Sequence, residues 1–470
     1  MSSSGRRGEQ KTPSGACLPE EAVQLLVAGK RAEPATGTSQ GETRAASDVG
    51  LLEQALSRDN LIAALKRVKA NGGAPGIDGM TTGELEACLK TQWPGIKSAL
   101  LAGTYQPQPV RRVEIPKPNG GGRLLGIPTV LDRFIQQAIA QVLTPIFDPT
   151  FSASSFGFRP GRKAHDAVRQ IQSYAQAGYT WVVDLDLEKF FDRVNHDVLM
   201  ARVARKVTDK RVLRLIRRYL QSGIMLNGVR VRSEEGTPQG GPLSPLLANI
   251  LLDDLDKELE RRGHRFARYA DDCNIMVRSE RGGQRVMQSI TEYLEQYLRL
   301  KVNREKSAVD RPWKRKFLGF SFYRHKGQVR LRLAPKTLER FKDRVRELTS
   351  RRKPLSMTSR VEELNQYLRG WLGYFALADT PSIMQGLDQW IRRRLRNCQW
   401  KQWKEPTARQ RNLRRLGLPE EAINLVVGSR KGYWRITNTP QLDQAMGIAY
   451  WRNLGLFSLK RRYLELRRVS

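Results

Sequence analysis

Residues 266–277 read FARYADDCNIMV, in which two apolar segments flank a short turn that carries Asp271 and Asp272. Apolar segments around such a turn are typical of two β-strands joined closely. Two-metal nucleotidyl transfer requires at least two carboxylates held rigidly around one pair of metal ions. The stretch therefore predicts a strand–turn–strand unit whose paired aspartates are candidate metal ligands of an enzyme that copies nucleic acid.

A second acidic stretch lies upstream at residues 181–196, which read WVVDLDLEKFFDRVNH. Asp184 and Asp186 are two residues apart among strand formers, so both would face the same side of a strand. A buried strand rarely carries acids unless something neutralises them, and a metal ion would do so. A solvated strand end is the alternative for this stretch alone. Carboxylate oxygens suit Mg²⁺, which also takes ligands from substrate phosphates.

The chain carries a large excess of positive charge. Its 470 residues include 82 Lys and Arg against 47 Asp and Glu, which gives a net charge of +35. Such an excess is typical of proteins that bind a polyanion, so nucleic acid is the leading partner and an anionic membrane surface is the alternative. The sequence has no run of about 20 apolar residues, so no membrane span is predicted.

The N-terminal part and the cysteines indicate the compartment. Four cysteines are scattered without a CxxC pair, which argues against a zinc ribbon and a disulfide framework and favours a reducing, cytosolic setting. The first residues lack the apolar segment of a secretory signal. Residues 1–50 are predicted to be a flexible leader, and a short helix near 18–26 that docks on RNA is the other interpretation.

Alternating helical and strand patterns indicate a mixed α/β core that begins near residue 51. Helical spacing covers 51–70, and a basic segment at 115–129 reads as strand, hairpin loop and strand. The charge composition and the predicted secondary structure change after residue 310. Residues 311–470 contain 37 basic against 12 acidic residues and are predicted to be mostly helical, with breaks at 351–354 and 404–407.

Four motifs follow one another in a fixed order: FFD after Asp186, PQGGPLSPLLANI at 238–250, YADD at 269–272 and KFLGF at 316–320. Together with the basic C-terminal part, this order resembles the reverse transcriptases encoded within bacterial group II introns, over roughly residues 55–470. The resemblance implies an α/β right-hand polymerase fold in the fingers and palm. A mostly α-helical thumb and a basic helical C-terminal region would follow.

The resemblance also implies a division of the chain into five segments. They are a flexible leader at 1–50, an N-terminal extension and fingers at 51–180, a palm with inserted finger elements at 181–322, a helical thumb (the maturase or X region) at 323–403, and a region similar to the family's DNA-binding segment at 404–470. The last histidine is His325 and the tail has no cysteine pairs. We therefore expect the short, class C-like type that lacks an endonuclease domain.

Catalytic roles follow from the resemblance, position by position. The residues that match the family's metal-binding positions are Asp186, Asp271 and Asp272, with the backbone carbonyl of Leu187. Asp184 is interpreted as a supporting acid, or alternatively as the partner of a nearby arginine. Phe191 matches the aromatic position that excludes a ribose 2′-hydroxyl, which implies selection of deoxynucleotides.

Other residues are expected to contact the incoming nucleotide. Lys117 and Arg123 flank a glycine-rich loop at 118–122, where two cations across a hairpin suit a triphosphate. A solvated basic hairpin is the alternative. The remaining residues of this set are Pro238, Gln239 and Gly240, which resemble the family's PQG element, and Lys306, which matches a lysine near the leaving phosphates.

Template and RNA contacts are expected at two basic segments. FGFRPGRKAHDAV at 156–168 resembles a family motif and offers Phe158, Arg159 and Arg162. Further along, the run Arg392, Arg393 and Arg394 lies near tryptophans, a combination that suits a nucleic-acid backbone and exposed bases. Plain surface charge is the alternative for both segments. His165 and His196 are predicted to pack or cap locally rather than to act as a general base.

The resemblance finally implies a function and partners. We expect an RNA-directed DNA polymerase of a mobile intron, with two Mg²⁺ ions (Mn²⁺ as a substitute), dNTPs and a template RNA with a DNA primer. The group II intron RNA and a DNA target would be further partners in splicing and retrohoming, in the bacterial cytoplasm. The alternatives are a related reverse transcriptase recruited for host DNA repair or defence, and a non-catalytic RNA-binding splicing cofactor.

Overall fold

The computed structural model describes residues 50–116, 122–226, 229–231, 235–236 and 240–469. Three residues of the expected nucleotide site, Lys117, Pro238 and Gln239, lie outside the described residues. The same holds for the leader up to residue 49 and for the side chain of Arg123.

The internal contacts of the chain divide it into two units. The first unit comprises the residues up to Arg162, Leu185–Cys273 and Arg285–Ala308, and the second comprises Lys163–Asp184, Asn274–Gln284 and Val309–Ser470. This grouping differs from the five segments expected along the sequence, because each unit combines parts of the chain that are far apart in sequence.

The structure alternates strands and helices through residue 333 and is helical afterwards, as the sequence pattern predicts. The helices are α1 Leu51–Ala55, α2 Arg58–Asn71, α3 Leu85–Leu101, α4 Val130–Phe147, α5 Ala164–Gln176, α6 His196–Val203, α7 Lys210–Gln221, α8 Ser244–Arg261, α9 Glu280–Tyr297, α10 Pro335–Leu348, α11 Met357–Phe375, α12 Pro381–Gln402, α13 Pro406–Arg415, α14 Glu420–Val427, α15 Tyr433–Ile436, α16 Pro440–Ala445, α17 Ile448–Asn453 and α18 Leu459–Val469. The strands are β1 Val110–Pro116, β2 Gly122–Ile127, β3 Trp181–Leu185, β4 Ile224–Leu226, β5 Val229–Val231, β6 Arg265–Tyr269, β7 Asp272–Val277, β8 Ala308–Asp310, β9 Phe320–His325 and β10 Gln328–Leu333. Two short 3₁₀ helices cover Asp148–Thr150 and Phe190–Asp192.

The helical spacing at 51–70 is confirmed, and this part of the chain forms two helices. The chain is extended at Ser57, where φ is −66° and ψ is 149°, so α1 ends and α2 begins anew. The apolar side of α2 buries Leu61, Leu65 and Val68. Asn60 fixes α2 to α4 because its side-chain amide donates to the carbonyl of Ala138 at 3.0 Å.

The hairpin predicted at 115–129 is confirmed. β1 and β2 are antiparallel, with Arg111 opposite Ile127 and Pro116 opposite Gly122. β1 also pairs with β4 in parallel, and β4 pairs with β5 in antiparallel fashion. These four strands form one sheet in the order β2-β1-β4-β5.

A second four-stranded sheet has the order β6-β7-β3-β8 and contains both acidic stretches. The predicted strands on either side of the YADD turn are therefore confirmed as β6 and β7. Helix α8 begins at Ser244, directly after the motif PQGGPL, and buries most of its length, including the polar side chains of Asn249 and Asp256. A buried polar side chain requires a partner, and both side chains have one behind the YADD turn.

In the second unit, β9 and β10 form an antiparallel hairpin, and the helices from α10 onward follow it. Leu364, Leu368, Trp371 and Leu372 of α11 are buried, as the helical spacing predicts. The local role predicted for His165 is confirmed, because its Nε2 lies 2.6 Å from the carbonyl oxygen of Tyr374.

Candidate active site

The YADD turn is held in an uncommon backbone conformation. Ala270 has a φ of +58° and is buried, whereas Asp271 and Asp272 are half-buried. Positive φ is disfavoured for alanine, so the surrounding structure must stabilise this turn. Gly157 passes close by, and a Cβ there would lie 2.2 Å from the Ala270 nitrogen. A glycine is therefore required where the 154–157 segment approaches the turn.

The direction of β3 relative to β7 follows from a shared contact. A Cβ placed on Gly283 would lie 3.3 Å from Val277 and 3.6 Å from Val183, so these two valines reach the same point. Their strands are neighbours in the sheet. The side chains of Asp184 and Asn274 are hydrogen-bonded, so these two residues lie side by side. If the strands were parallel with this alignment, Val183 would lie beside Cys273, four residues or roughly 13 Å from Val277 at 3.3 Å per residue. The two strands are therefore antiparallel.

The register brings the two acidic stretches together. The side-chain amide of Asn274 donates to Asp184 Oδ1 at 3.2 Å, so these two residues share one face of the sheet. Asp186 lies two residues after Asp184, and Asp272 lies two residues before Asn274. In antiparallel strands these positions oppose each other, and the period of two keeps them on the same face. Pairing of Asp184 with Asn274 thus implies that Asp186 lies opposite Asp272, towards the strand ends.

Asp184 is the partner of an arginine, which was one of the two interpretations left open. Arg315 donates to Asp184 Oδ2 through Nε at 2.8 Å and lies 2.6 Å away through Nη2. The carboxylate is only 15% exposed. Two nitrogens of one guanidinium on a single carboxylate oxygen neutralise the acid on its strand, so Asp184 has a structural partner in Arg315.

Asp186 is fixed through its backbone and leaves its carboxylate 45% exposed. Its N–H donates to Ser307 Oγ at 2.9 Å, and its carbonyl accepts from the Asn303 N–H at 2.8 Å. Lys306 lies in the same loop, and its Nζ is 3.6 Å from Asp186 Oδ2. The weak sequence match at Lys306 thus corresponds to a residue that the fold brings beside the acid.

The backbone carbonyl of Leu187 points away from the neighbouring segment at residues 301–303. Leu187 forms an antiparallel bridge with Val302. The bonds around this bridge use the carbonyl of Asp186 and the N–H of Glu188, which donates to Lys301 at 2.8 Å. Because successive carbonyls alternate in an extended chain, the Leu187 carbonyl faces the opposite side.

The oxygen donors of this site fit a divalent metal ion whose remaining ligands come from the substrate. Across the described residues, no group of three or more His, Cys, Asp or Glu side chains is arranged as a ready-made metal site. Mg²⁺ is commonly bound by one or two carboxylates together with substrate phosphates and water. A solvent-accessible Asp186 opposite Asp272, with a cationic group already 3.6 Å from Asp186, meets that description.

A cavity of about 570 Å³ lies in the first unit and contains three residues expected from the sequence: Phe158, Phe191 and Gly240. Gly240 has a φ of +138°, and a Cβ there would lie 2.8 Å from the Gly126 carbonyl oxygen. The glycine thus permits a close approach of this segment to β2. The cavity also contains Arg133, which sequence reasoning missed because it lies in an ordinary helical pattern.

The three residues expected to meet template have different surroundings. Phe158 is half exposed, has a φ of +59°, and its ring centroid lies 6.5 Å from that of Tyr269. Arg162 donates to the Ala153 carbonyl at 2.7 Å and remains at the surface. Arg159 is buried, and its guanidinium donates to Asp148 and to the carbonyls of Ser152 and Ser155. We therefore correct our expectation for Arg159, whose donors hold the segment itself.

The basic run on α12 is also engaged within the protein. Arg393 stacks on Trp434 at 3.9 Å and donates to its carbonyl at 2.8 Å. Arg394 donates to the Thr349 hydroxyl at 3.0 Å and to nearby carbonyls. Burial lowers the pKa of Arg392, Arg393 and Arg394. The run is thus neither a solvated face nor a fully available RNA surface, because helix packing occupies much of its hydrogen-bonding capacity.

His196 has a local role, as predicted. Its Nε2 lies 2.7 Å from the Gly236 carbonyl oxygen, and burial lowers the pKa of its ring. Neither histidine considered in the sequence is therefore needed as a base.

Family models match two successive parts of the chain. Residues 115–322 match the model for reverse transcriptase (RNA-dependent DNA polymerase), and residues 338–417 match the group II intron, maturase-specific domain. The chain belongs to the group II intron reverse transcriptase/maturase family. Membership confirms the family named from the sequence motifs. A reverse transcriptase domain also implies the right-hand polymerase fold and the use of divalent metal ions, which confirms those expectations at this coarser level.

Several relatives of this reverse transcriptase/maturase are similar over part of their length. Protein YkfC of Escherichia coli (strain K12) is 39% identical over 231 residues, which cover 47% of this chain and 61% of YkfC. The group II intron-encoded protein LtrA of Lactococcus lactis subsp. cremoris is 43% identical over 163 residues, covering 34% of this chain and 27% of LtrA. A 91 kDa protein in the cob intron of Schizosaccharomyces pombe is 34% identical over 218 residues, covering 45% of this chain and 26% of that protein.

The matched part of this reverse transcriptase/maturase spans at most about three fifths of the length of these relatives, 61% for YkfC and 27% for LtrA. Within the part of the chain that the structure describes, no helix is both long enough and apolar enough to cross a membrane.

Proposed function

We propose that this protein is the RNA-directed DNA polymerase of a group II intron and that it also binds the intron RNA and assists its splicing and retrohoming. The observation that carries the proposal is the hydrogen bond between Asn274 and Asp184 on the neighbouring strands β7 and β3, inside a matched reverse transcriptase domain. From it we infer that Asp186 lies opposite Asp272. The maturase-specific domain that follows supports the role in splicing. Its substrates are a template RNA with a DNA primer, dNTPs and a DNA target.

Asp186, Asp271 and Asp272 are the proposed catalytic metal ligands, with the Leu187 carbonyl as a further oxygen donor. Two Mg²⁺ ions, with Mn²⁺ as a substitute, would supply Lewis acidity at the primer 3′-hydroxyl and at the leaving pyrophosphate. The chain's own contribution is to hold these oxygens rigidly. The backbone bonds of Asp186 to Ser307 and Asn303 serve that purpose, because transfer of this kind depends on positioning and charge neutralisation.

The cavity that contains Phe191 and Gly240 is the proposed site of the incoming dNTP. Phe191 follows Asp186 by five residues and contacts this cavity, so its ring is suited to oppose a 2′-hydroxyl on the sugar. Lys306 is suited to neutralise the leaving phosphates, since its ammonium already lies 3.6 Å from Asp186. Lys117, Arg123, Pro238 and Gln239 complete the proposed nucleotide contacts.

Template and RNA binding are proposed at two places. The first is the segment of Phe158 and Arg162, where the exposed ring of Phe158 beside Tyr269 suits a base and Arg162 suits a phosphate. In the second unit, the thumb and the basic C-terminal region would bind intron RNA and target DNA. That region would use Arg393 and Arg394 less than Arg392 and the exposed cations around them, because contacts within the protein occupy these two side chains. A bacterial cytoplasm is the proposed setting.

Primer extension tests the polymerase proposal. The wild-type protein, given a DNA primer annealed to an RNA template with dNTPs and Mg²⁺, should produce full-length cDNA. Asp272→Asn should produce none, and the matched control Asp59→Asn, at an exposed acid in the first turn of α2, should match the wild type. Wild-type product no greater than that of Asp272→Asn would refute the proposed enzyme activity. Splicing of an intron RNA with and without each protein tests the second role separately.

A further inference from the structure

Arg268 is a fully buried cation directly behind the YADD turn. It is 1% exposed, and the side chain of Asp256 that faces it is not exposed at all. Nε and Nη2 donate to the two oxygens of Asp256 at 2.7 and 2.5 Å. The ion pair is therefore bidentate, and each partner compensates a charge that would be costly to bury alone.

The other N–H groups of Arg268 reach three further residues. Nη1 donates to Asn249 Oδ1 at 3.0 Å and to the Ala270 carbonyl at 2.8 Å, and Nη2 donates to Ser155 Oγ at 2.8 Å. A guanidinium has five N–H donors, so all of them are used. One side chain thus connects α8, the 154–157 segment and the YADD turn.

The bond to Ala270 has a specific consequence, because Ala270 is the residue that precedes Asp271. Its φ of +58° is unfavourable for an alanine, and such a conformation persists only where the surroundings determine it. The Arg268 backbone is fixed as well, since its N–H donates to Ser154 and its carbonyl accepts from Phe156, each at 2.9 Å. The residue therefore fixes the turn through both its backbone and its side chain.

We propose that Arg268 is a positioning residue for polymerisation, which sets the orientation of Asp271 and Asp272 by holding the Ala270 carbonyl. The inference rests on the proposed polymerase function. Arg268 touches neither substrate nor metal ion and acts through the backbone of the turn. The planar fork is essential for this role, because a lysine would keep the charge opposite Asp256, yet the three N–H donors on its single nitrogen could not replace five hydrogen bonds made from three nitrogens.

The test measures Mn²⁺ binding by electron paramagnetic resonance of the free ion, together with primer extension per folded molecule. Arg268→Lys should weaken Mn²⁺ binding about tenfold, as is typical when a group that orients metal ligands is altered. Primer extension should fall by a similar factor while the KM for dNTP stays within about twofold. Asn249→Ala is the second variant, because Asn249 accepts from Arg268 and its amide donates to the Gly157 carbonyl at 2.8 Å.

Arg360→Lys is the matched control, since Arg360 is also buried and donates to carbonyls, at Leu348 and Ser350, but lies in the second unit. Its Mn²⁺ binding should equal that of the wild type at a comparable loss of thermal stability. If Arg268→Lys fails to fold, Asn249→Ala tests the inference instead, and its Mn²⁺ affinity should fall about threefold. Unchanged Mn²⁺ affinity in the folded variants would overturn the inference. The two proposals can fail separately. If the variants bind Mn²⁺ more weakly but the wild type makes no cDNA, the positioning role is supported and the proposed polymerase activity is refuted.

Discussion

The ammonium of Lys306 lies 3.6 Å from a carboxylate oxygen of Asp186, with both side chains largely open to solvent. We therefore expect the lysine to compete with a metal ion when nucleotide is absent and to contact the phosphates when nucleotide binds. Two opposite effects follow for Lys306→Gln. Metal affinity without nucleotide should rise about twofold to threefold, because a screened, exposed ion pair contributes little. The KM for dNTP should rise at least about tenfold, the typical effect of losing a charged hydrogen bond.

Lys301→Gln is the matched control for that experiment. Lys301 lies in the same segment, is similarly exposed and faces Glu188 at 3.7 Å instead of Asp186. It should leave both metal affinity and the KM for dNTP unchanged. Equal behaviour of the two variants would mean that Lys306 has no special relation to the site.

The carboxylates of the YADD turn should separate catalysis from RNA binding. Asp271→Asn or Asp272→Asn removes a negative oxygen donor at nearly constant shape, so polymerisation should fall below detection. Binding of a structured intron RNA should stay within about twofold, because this affinity comes mainly from cations along the RNA backbone. The measurements are primer extension and filter binding at matched salt. Equal loss in both assays would indicate that the aspartates maintain the fold instead.

The palm strands and the β1–β2 hairpin were predictable because their signals are local. The acids of YADD lie between apolar segments that form β6 and β7, and the residues on either side of the glycine-rich loop belong to β1 and β2. The order of the four motifs along the chain then allowed Asp186 to be grouped with Asp271 and Asp272. In each case the residues that decide the structure are neighbours in the sequence.

The roles of the arginines were not predictable in the same way. Arg159 and Arg162 are three residues apart in one motif, yet one is buried on Asp148 and the other is at the surface. Arg268 looks like an ordinary strand residue until α8 brings Asn249 and Asp256 against it. A long cationic side chain takes its role from whichever acceptors tertiary packing brings near, and a single sequence does not record them.

Phe191 should control which sugar enters the site. Phe191→Val shortens the side chain beside the cavity and leaves room for a 2′-hydroxyl. We expect incorporation of ribonucleotides relative to deoxynucleotides to rise at least about tenfold, while dNTP incorporation falls only modestly. Single-nucleotide kcat/KM for matched rNTP and dNTP measures this ratio. Phe190→Val is a control, since Phe190 is buried and contacts Phe191 edge-on, and its substitution should lower stability without changing the ratio.

Arg394 should contribute to stability more than to RNA binding. It donates to the hydroxyl and the carbonyl of the buried Thr349 and to the carbonyl of Arg346, so Arg394→Ala removes three hydrogen bonds from a charged donor. The free energy of unfolding should fall by about 1–3 kcal/mol. The salt dependence of RNA binding should keep its slope, whereas Arg430→Ala, at an exposed cation, should flatten it. A flattened salt dependence for Arg394→Ala would mean that Arg394 contacts RNA directly.

Asp253 should make the stability of the protein depend on pH in the acidic range. Burial raises the pKa of its carboxyl to about 6, and one of its oxygens is buried without a hydrogen-bond partner among the described residues. The folded state therefore favours the protonated form more than the unfolded state does. This contribution is fully present below about pH 4, the ordinary pKa of the group, and is lost as the pH rises through about 6.

Asp253→Asn removes that pH-dependent loss, because its amide stays neutral. The variant should match the wild type near pH 4 and exceed it above pH 7 by about 1–2 kcal/mol, roughly half of the full conversion because the group is partly exposed. Denaturant unfolding at three pH values measures the difference. Asp254→Asn provides the contrast, since the carboxylate of Asp254 pairs with Arg202 and Arg205 and its loss should destabilise the protein at pH 7. Parallel stability curves for wild type and Asp253→Asn would show that the Asp253 carboxyl ionises in the folded protein as readily as in the unfolded chain.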